Sequence, residues 1–273
     1  MANRALFKKI ERVYAEDYKA HGSPHIHRAL RAEGVVCGKH RVARLMRLGD
    51  LRAKQARQYR STTTRNQAHA VAPNRLARDF TASRPNHKWL CDITYIPTKE
   101  GWLHLAAILD LYSRWIVGWA MSQRMTSDLT VVALQAVLRS RKPAVGLIHH
   151  SDQGSQYTDH GYQRLLEQHG IQVSMNGVAT WYDNAPMESV FGTLKSELVY
   201  HRQYRTRAEA RSDVFFYIEA FYNRRRRHSA RGYLSPEAYE QLYYQGQQRS
   251  LSRCPQNQGK VRQPQLLILK TTL

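Results

Sequence analysis

An α/β fold with a mixed five-stranded sheet, preceded by a small all-α region, is the fold class that this 273-residue sequence predicts. The first reason is the order of patterns after residue 88, which reads as three strands, a helix, a strand, a helix and a strand. The second is a run of three short helical patterns before residue 50. The composition, 42% hydrophobic with 10% aromatic residues, is that of a globular protein.

The three front patterns suit a helix-turn-helix region over residues 1–50. They are ALFKKIERVYAEDY, SPHIHRALRAEG with Ser23 as the expected N-cap, and GKHRVARLMRLGDL. The third carries Arg41 and Arg44, which we expect to contact DNA. An ordinary three-helix bundle with a solvated basic face explains the same pattern nearly as well.

Positive charge is concentrated in the first 88 residues of the chain, whose total net charge is +21. Residues 1–88 hold 20 Lys and Arg against 6 Asp and Glu. Such a field attracts polyanions, and nucleic acid is the usual one. A merely basic soluble or ribosome-associated surface is the alternative.

The remaining domain boundaries follow from composition. Residues 51–87 are polar and basic without periodicity, and we interpret them as a linker along DNA. The α/β layer and the helices after it occupy 88–245, and 246–273 form a tail. No membrane span or signal peptide is visible, so we expect no membrane partner and a cytoplasmic location. The three cysteines show no zinc-binding spacing.

Three acids occupy special positions in the α/β layer. Asp92 lies in the first strand, Asp152 ends the strand GLIHHSD, and Glu188 lies in the first turn of the helix after WYDNAP. Alone, a strand-end Asp caps a turn, and an early-helix Glu meets the helix dipole. Together they have 59 residues between the first two and 35 between the last two.

The blocks HKWLCDITYIPT, HHSDQGSQY, YDNAPMESVFGTLKSEL and FYNRRRRHSARGYLSPEAY appear in that order. With the 35-residue spacing, they resemble the DDE transposases and retroviral integrases, and more narrowly the second-reading-frame product of insertion-sequence family three transposases. The resemblance covers about residues 20–240. It implies an RNase H-like integrase catalytic core and DNA strand cleavage and strand transfer by a bacterial, nucleoid-associated enzyme.

The chemistry of the acids agrees with this resemblance. Three gathered carboxylates repel one another unless a cation compensates them. Hard oxygen ligands favour Mg²⁺ or Mn²⁺, and two ions can activate a nucleophile and stabilise the leaving oxygen. We therefore expect Asp92, Asp152 and Glu188 to be the catalytic and metal-binding residues. His149 and His150 are expected to pack or to orient Asp152.

Further positions follow from helical spacing. Lys195 lies two turns after Glu188 on the same face and is expected to hold a DNA phosphate. Glu197 lies on the opposite face, and its amide variant is expected to retain activity. Asp183 and Asn184 are expected to be helix caps. Arg224 and Arg225, in the run YNRRRRH, are expected to grip phosphates.

Partners and alternatives complete the prediction. The resemblance implies insertion-sequence ends and target DNA as substrates, a DNA-binding protein or fusion encoded by an upstream frame, and a homo-oligomer on DNA. A tyrosine recombinase is a weak rival, supported only by HSAR at 228–231. The second rival is a catalytically inactive DNA-binding regulator derived from a transposase.

Overall fold

The computed structural model describes residues 3–54, 72–177 and 181–253. Residues 55–71 of the expected linker and residues 254–273 of the expected tail lie outside these ranges. Among the described residues, no helix is both long enough and apolar enough to cross a bilayer.

Three helices form the N-terminal region: α1 (Asn3–Glu16), α2 (Ser23–Ala32) and α3 (Lys39–Leu48). Their apolar faces meet in one small core, which includes Leu6, Ile10, Ile26, Leu30 and Val42. The expected cap at Ser23 is wrong by one residue. Gly22 holds the N-cap position without a side-chain hydrogen bond, and Ser23 begins the helix ahead of Pro24. Proline tolerates this place because the first helical N–H groups have no partner within the helix.

Five strands form the predicted mixed sheet: β1 (Lys88–Thr98), β2 (Gly101–Asp110), β3 (Ile116–Ser122), β4 (Ile148–Ser151) and β5 (Gln172–Met175). Their order is β3-β2-β1-β4-β5. The first three strands form an antiparallel meander. β4 and β5 continue the sheet in parallel with β1. Helices must cross over the sheet between these parallel strands, and they cover one of its faces.

Alternation along β1 gives each face of the sheet its own core. Trp89 packs with helices α4 (Ser127–Arg141) and α6 (His160–Gln168), in a cluster that includes Leu134 and Leu166. The short helix α5 (Ser155–Thr158) lies between these two in sequence. Leu90 faces the opposite side and packs with α7 (Ala185–Glu197). The sheet is therefore the middle layer of three.

The C-terminal part departs from one expectation. The pattern RAEARSDVFFYIEAFYNRRRRH predicts one helix, but α8 (Arg207–Phe216) passes into a wider π-helical segment, Tyr217–Tyr222. At the end of this segment, the side-chain amide of Asn223 pairs with both the N–H and the carbonyl of Ile116, at 2.9 and 3.1 Å. This contact fixes the segment against β3, which helical periodicity alone does not reveal.

The remaining elements are short 3₁₀ turns and one long helix. The 3₁₀ turns span Trp181–Asn184, Val199–His201 and Ser229–Arg231, and the last helix, α9, spans Pro236–Arg253.

Residues 72–87, within the expected linker, pack against the sheet domain. Leu76 is buried in the same core as α7. The backbone N–H groups of Arg75 and Leu76 donate to Ser174 Oγ on β5, at 2.9 and 3.1 Å. We call residues 74–78 the arm.

Candidate active site

Asp92 and Asp152 are brought together by the register of two parallel strands. Leu90 on β1 pairs with His150 on β4, and each acid follows two residues later along its own strand direction. The two carboxylates therefore leave the sheet at the same level. One oxygen of Asp92 accepts the N–H of Ile93 at 2.8 Å, and one oxygen of Asp152 accepts that of Gly154 at 2.9 Å.

Glu188 reaches the same region from a different layer. It lies in the first turn of α7, and this helix packs against β1. Its side chain is exposed, whereas the flanking Met187 is fully buried and anchors the helix. The helix thus presents a solvent-accessible carboxylate beside the strand that carries Asp92.

The charges of the other two acids act on Asp92. Burial, with additional repulsion from Asp152 and Glu188, raises the pKa of Asp92 to about 8. Burial also raises the pKa values of Asp152 and Glu188. A site of this kind disfavours the simultaneous ionisation of its carboxylates, so a bound cation would relieve it.

Lys195 is the basic residue of this neighbourhood. It lies on α7, is 5% exposed, and places Nζ 4.7 Å from the centroid of the Tyr95 ring on β1. Burial lowers the pKa of Lys195, and the charge of Asp92 opposes that shift. Its ammonium group therefore lies within the electrostatic reach of the acids, as its spacing from Glu188 indicates.

The acids are neighbours rather than a closed cage. Across residues 3–54, 72–177 and 181–253, no three His, Cys, Asp or Glu side chains converge tightly enough to enclose a metal ion. Mg²⁺ commonly binds through only one or two carboxylates, with water and substrate phosphate completing its shell. The oxygen-only donors present here fit that mode of binding.

The two histidines before Asp152 have structural contacts. His149 contacts Cys91 Sγ at 3.1 Å and the Tyr162 hydroxyl at 2.9 Å. His150 bonds to Ser174 Oγ at 2.8 Å and to Asn176 Oδ1 at 2.6 Å. Both rings therefore pack beneath the site, in the role that the sequence suggests.

The expected caps of α7, Asp183 and Asn184, make contacts across the fold. Asn184 holds the N-cap position, but its side chain makes no capping hydrogen bond. It instead donates to the carbonyl of Cys91 at 3.4 Å, next to Asp92. The Asp183 carboxylate accepts from Arg78 Nε and Asn74 Nδ2, at 2.8 and 2.9 Å. Sequence reasoning missed Arg78, since 104 residues separate it from Asp183 and no local pattern marks the pair.

Glu197, the expected control position, is buried. It lies on α7 away from Glu188, but its carboxylate is paired with Arg226 and accepts the hydroxyl of Tyr217. A substitution there disturbs a buried ion pair, so Glu197 is unsuitable as a neutral control.

The expected DNA-binding arginines of α3 differ in their surroundings. Arg44 is exposed, whereas Arg41 donates from Nε to Asn3 Oδ1 at 2.9 Å. Both lie outside the acid site, on the N-terminal helices.

Arg224 and Arg225 lie in a separate cleft of about 600 Å³. The cleft runs between the helices α1 and α2 and the chain after the π segment. Arg225 is paired there with Glu16 at 3.0 Å. Five arginines line the cleft: Arg28, Arg31, Arg224, Arg225 and Arg227. Three acids, Glu16, Asp17 and Glu33, also line the cleft. Because the five arginines outnumber them, the net charge of the lining is positive.

Comparisons with known proteins now decide the family. Residues 82–180 match the family described as "Integrase core domain", residues 2–59 match "HTH-like domain", and residues 188–243 match a second "Integrase core domain" family. The chain is 43% identical over 227 residues to "Transposase InsF for insertion sequence IS3A" of Escherichia coli K12, covering 83% of this chain and 79% of that protein. The chain belongs to the insertion-sequence transposases.

Two further relatives of this transposase support the assignment. It is 45% identical over 244 residues to "Insertion element IS600 uncharacterized 31 kDa protein" of Shigella sonnei, covering 89% of this chain and 90% of that one. It is 43% identical over 235 residues to "Transposase for insertion sequence element IS904" of Lactococcus lactis, covering 86% and 93%. The predicted family, the integrase core and the DDE-type polynucleotidyl transferase class are thereby confirmed. None of the matches favours the inactive-regulator alternative.

Proposed function

We propose that Asp92, Asp152 and Glu188 are the catalytic residues with which this transposase cleaves insertion-sequence ends and joins them to target DNA. The observation that carries the proposal is the strand register that brings Asp92 and Asp152 to one level, beside the helix that presents Glu188. The repulsion that Asp152 and Glu188 exert on Asp92, which adds to the burial that raises its pKa, supports the same grouping.

We propose further that the three carboxylates hold divalent cations, Mg²⁺ or Mn²⁺, and that two ions act together. When bound, such ions activate an attacking hydroxyl and stabilise the leaving oxygen of a phosphodiester. The oxygen donors and the mutual repulsion of the acids suit hard cations of this kind.

The reaction that these residues would support is a pair of phosphoryl transfers. In the first, the oxygen of water or of a DNA 3′-hydroxyl attacks phosphorus, and the P–O3′ bond breaks to leave a free 3′-hydroxyl. In the second, that 3′-hydroxyl attacks a target phosphate and displaces the target 3′-oxygen. In each step one P–O bond forms as another breaks, and the proton of the attacking hydroxyl ends on the released 3′-oxygen, so no covalent protein–DNA intermediate is needed.

The basic residues would bind the phosphates on either side of this chemistry. We propose that Lys195 holds a phosphate beside the acids, because its buried ammonium group interacts with Asp92. Arg41 and Arg44 on α3 would contact the element end, and Arg224 and Arg225 would grip DNA in the arginine-lined cleft. A small N-terminal bundle of helices with arginines on its third helix is a common DNA-binding arrangement.

Substitution of each acid by its amide tests the site. Asp92→Asn, Asp152→Asn and Glu188→Gln should each abolish cleavage and joining of a labelled element-end duplex, with DNA retention unchanged. Glu167→Gln, at an exposed position on α6, is the matched control and should retain activity. Near-normal turnover by any one of the three variants would remove that residue from the proposed site.

The same assay separates the remaining rivals. Products that appear with Mg²⁺ or Mn²⁺ and disappear with a chelator support metal-dependent transfer. A phosphotyrosine adduct trapped on DNA would instead support the recombinase, and complete inactivity with intact DNA binding would support the inactive regulator.

The partners belong to the proposal too. We propose that an upstream-frame product, separate or fused, supplies end specificity, and that the transposase acts as a homo-oligomer on DNA at the bacterial nucleoid. The chain alone should then bind DNA tightly with little preference for element ends. Strong end preference by the isolated chain in competition gel shifts at physiological salt would contradict this, and sedimentation with and without DNA measures the oligomer.

A further inference from the structure

Asp183 is a buried carboxylate at the entrance of the helix that carries Glu188. Its side chain is 2% exposed and lies five residues before Glu188 in the sequence. It accepts hydrogen bonds from Arg78 Nε at 2.8 Å, Asn74 Nδ2 at 2.9 Å and the backbone N–H of Gly177 at 3.2 Å. One side chain therefore joins both ends of the short segment 177–183 to residues 74–78, which lie about a hundred positions earlier in the chain.

Two of these segments are the ends of the loop that leads to Glu188. Gly177 follows β5, and Asp183 precedes α7, so the bond between them closes the base of the loop. Because Glu188 lies in the first turn of α7, a shift of Asp183 would displace the start of that turn.

The third segment is the arm, residues 74–78, which is held firmly by contacts of its own. The buried Leu76 and its bond to Ser174 Oγ fix the arm to the sheet domain. Ser174 also bonds to His150, two residues before Asp152. The arm is thus built into the layer that carries the other two acids.

The backbone of the arm is bent in a way that directs Arg78 towards Asp183. Ala77 and Arg78 both have left-handed φ values, +48° and +62°. Residues other than glycine rarely adopt this conformation, and it persists only where surrounding contacts enforce it. Here the enforcing contacts are those of Asn74, Leu76 and Asp183.

The two side chains of the ion pair differ in solvent exposure, and this difference determines what the loss of Arg78 would do. The Asp183 side chain is 2% exposed, whereas that of Arg78 is 54% exposed. Without Arg78, the buried carboxylate loses a charged partner, and the least costly response is for the entrance of α7 to shift and expose the carboxylate to water.

We propose that Arg78 and Asp183 are positioning residues, and that the arm sets the place of Glu188 in the active site by holding the entrance of α7. This inference rests on the proposed catalytic role of Glu188. It assigns to a segment before the sheet domain a function that the acid triad alone does not explain.

The test uses the full chain with Arg78→Ala, Arg78→Lys and Asp183→Asn. The matched control is Arg202→Ala, since Arg202 is 58% exposed and also pairs with an aspartate, Asp213, at 3.3 Å. Three quantities are measured: cleavage of a pre-bound element-end duplex, DNA retention, and amide hydrogen exchange across residues 177–188 in protein without metal.

Arg78→Ala should cleave at least about tenfold more slowly while retaining DNA, and amides at 183–188 should exchange faster than in the control. Because the Arg78 position is half exposed, millimolar guanidinium should restore part of its cleavage. Guanidinium should not restore cleavage by Asp183→Asn, which lacks the carboxylate that binds it. Arg78→Lys should fall between Arg78→Ala and the unsubstituted chain, and it decides the matter if the alanine variant does not fold.

Cleavage by Arg78→Lys and Arg78→Ala at the rate of the control, or unchanged exchange at 183–188, would overturn the proposal. So would equal restoration of Arg78→Ala and Asp183→Asn by guanidinium. Failure of the proposed function is separate, because full activity of Glu188→Gln would remove the catalytic role while leaving the exchange result to report on the arm.

Discussion

Arg226 and Glu197 form a buried two-pronged ion pair on the side of α7 that faces away from the acids. Arg226 Nε lies 3.0 Å from both carboxylate oxygens, and a terminal nitrogen lies 2.8 Å from one of them. The Tyr217 hydroxyl donates to the same carboxylate at 2.6 Å, and Lys54 Nζ donates to the Glu197 carbonyl at 2.8 Å. The end of α7 thereby joins the π segment and the chain that follows the N-terminal helices.

Glu197→Gln should therefore destabilise the transposase. The amide keeps the shape but removes the charge opposite Arg226, and leaving one member of a buried pair uncompensated costs about 3 kcal/mol. Urea unfolding should show the loss, and Glu167→Gln should not. An unchanged unfolding midpoint for Glu197→Gln would mean that the pair contributes nothing to stability.

Acid should weaken the fold through His149. Burial lowers the pKa of His149 to about 3, below its ordinary value of 6.5. Between those two values the unfolded chain binds more protons, so the free energy of unfolding falls as the pH falls. The loss between pH 7 and pH 5 should be about 2 kcal/mol from this group.

Urea unfolding at stepped pH values measures that loss. His149→Gln should have a shallower pH dependence, whereas a substitution at the exposed His40, His40→Gln, should leave the slope unchanged. Equal slopes for His149→Gln and the unsubstituted chain would refute the assignment.

Gly118 should not tolerate a side chain. A Cβ atom there would lie 2.8 Å from both the Ala133 carbonyl oxygen and Val137 Cβ, because α4 packs directly on β3. Gly118→Ala should lower the free energy of unfolding by about 2 kcal/mol, as overpacking does in other cores.

Gly192 on α7 provides the contrast. Among the described residues, no atom beyond the local helix backbone lies within 4 Å of a Cβ built there, so Gly192→Ala should stabilise the helix by about 0.8 kcal/mol. Thermal unfolding of the two variants checks both signs, and a stable Gly118→Ala variant would show that α4 can move away from the sheet.

Arg44 should contribute to DNA binding without contributing to specificity. If it contacts one phosphate, Arg44→Gln should weaken binding to all duplexes alike and reduce the slope of log affinity against log salt by about 1. Arg12→Gln is the comparison, because Arg12 is already paired with Glu16. A loss confined to element ends would instead show that Arg44 reads bases.

Local patterns in the sequence determined the order of strands and helices and the elements that carry the acids. Alternating polarity in a strand and an apolar stripe on a helix both depend on residues only a few positions apart. Both patterns are therefore visible in the sequence, and the mixed sheet could be predicted from them. The parallel register of β1 and β4, which the local patterns do not contain, then places Asp92 and Asp152 at one level. The family resemblance added Glu188, which periodicity by itself would have left as a helix-start acid.

The tertiary structure alone decided which polar groups meet across the fold. Helical spacing correctly turned Glu197 away from Glu188, but only the packing of the π segment and the N-terminal region buried it against Arg226. The same holds for the pairing of Asp183, because Arg78 lies on the arm, far from Asp183 in the sequence. The residues next to a charged side chain in the sequence do not show which segment will cover it. Burial and pairing are set by contacts between segments that are distant in the chain.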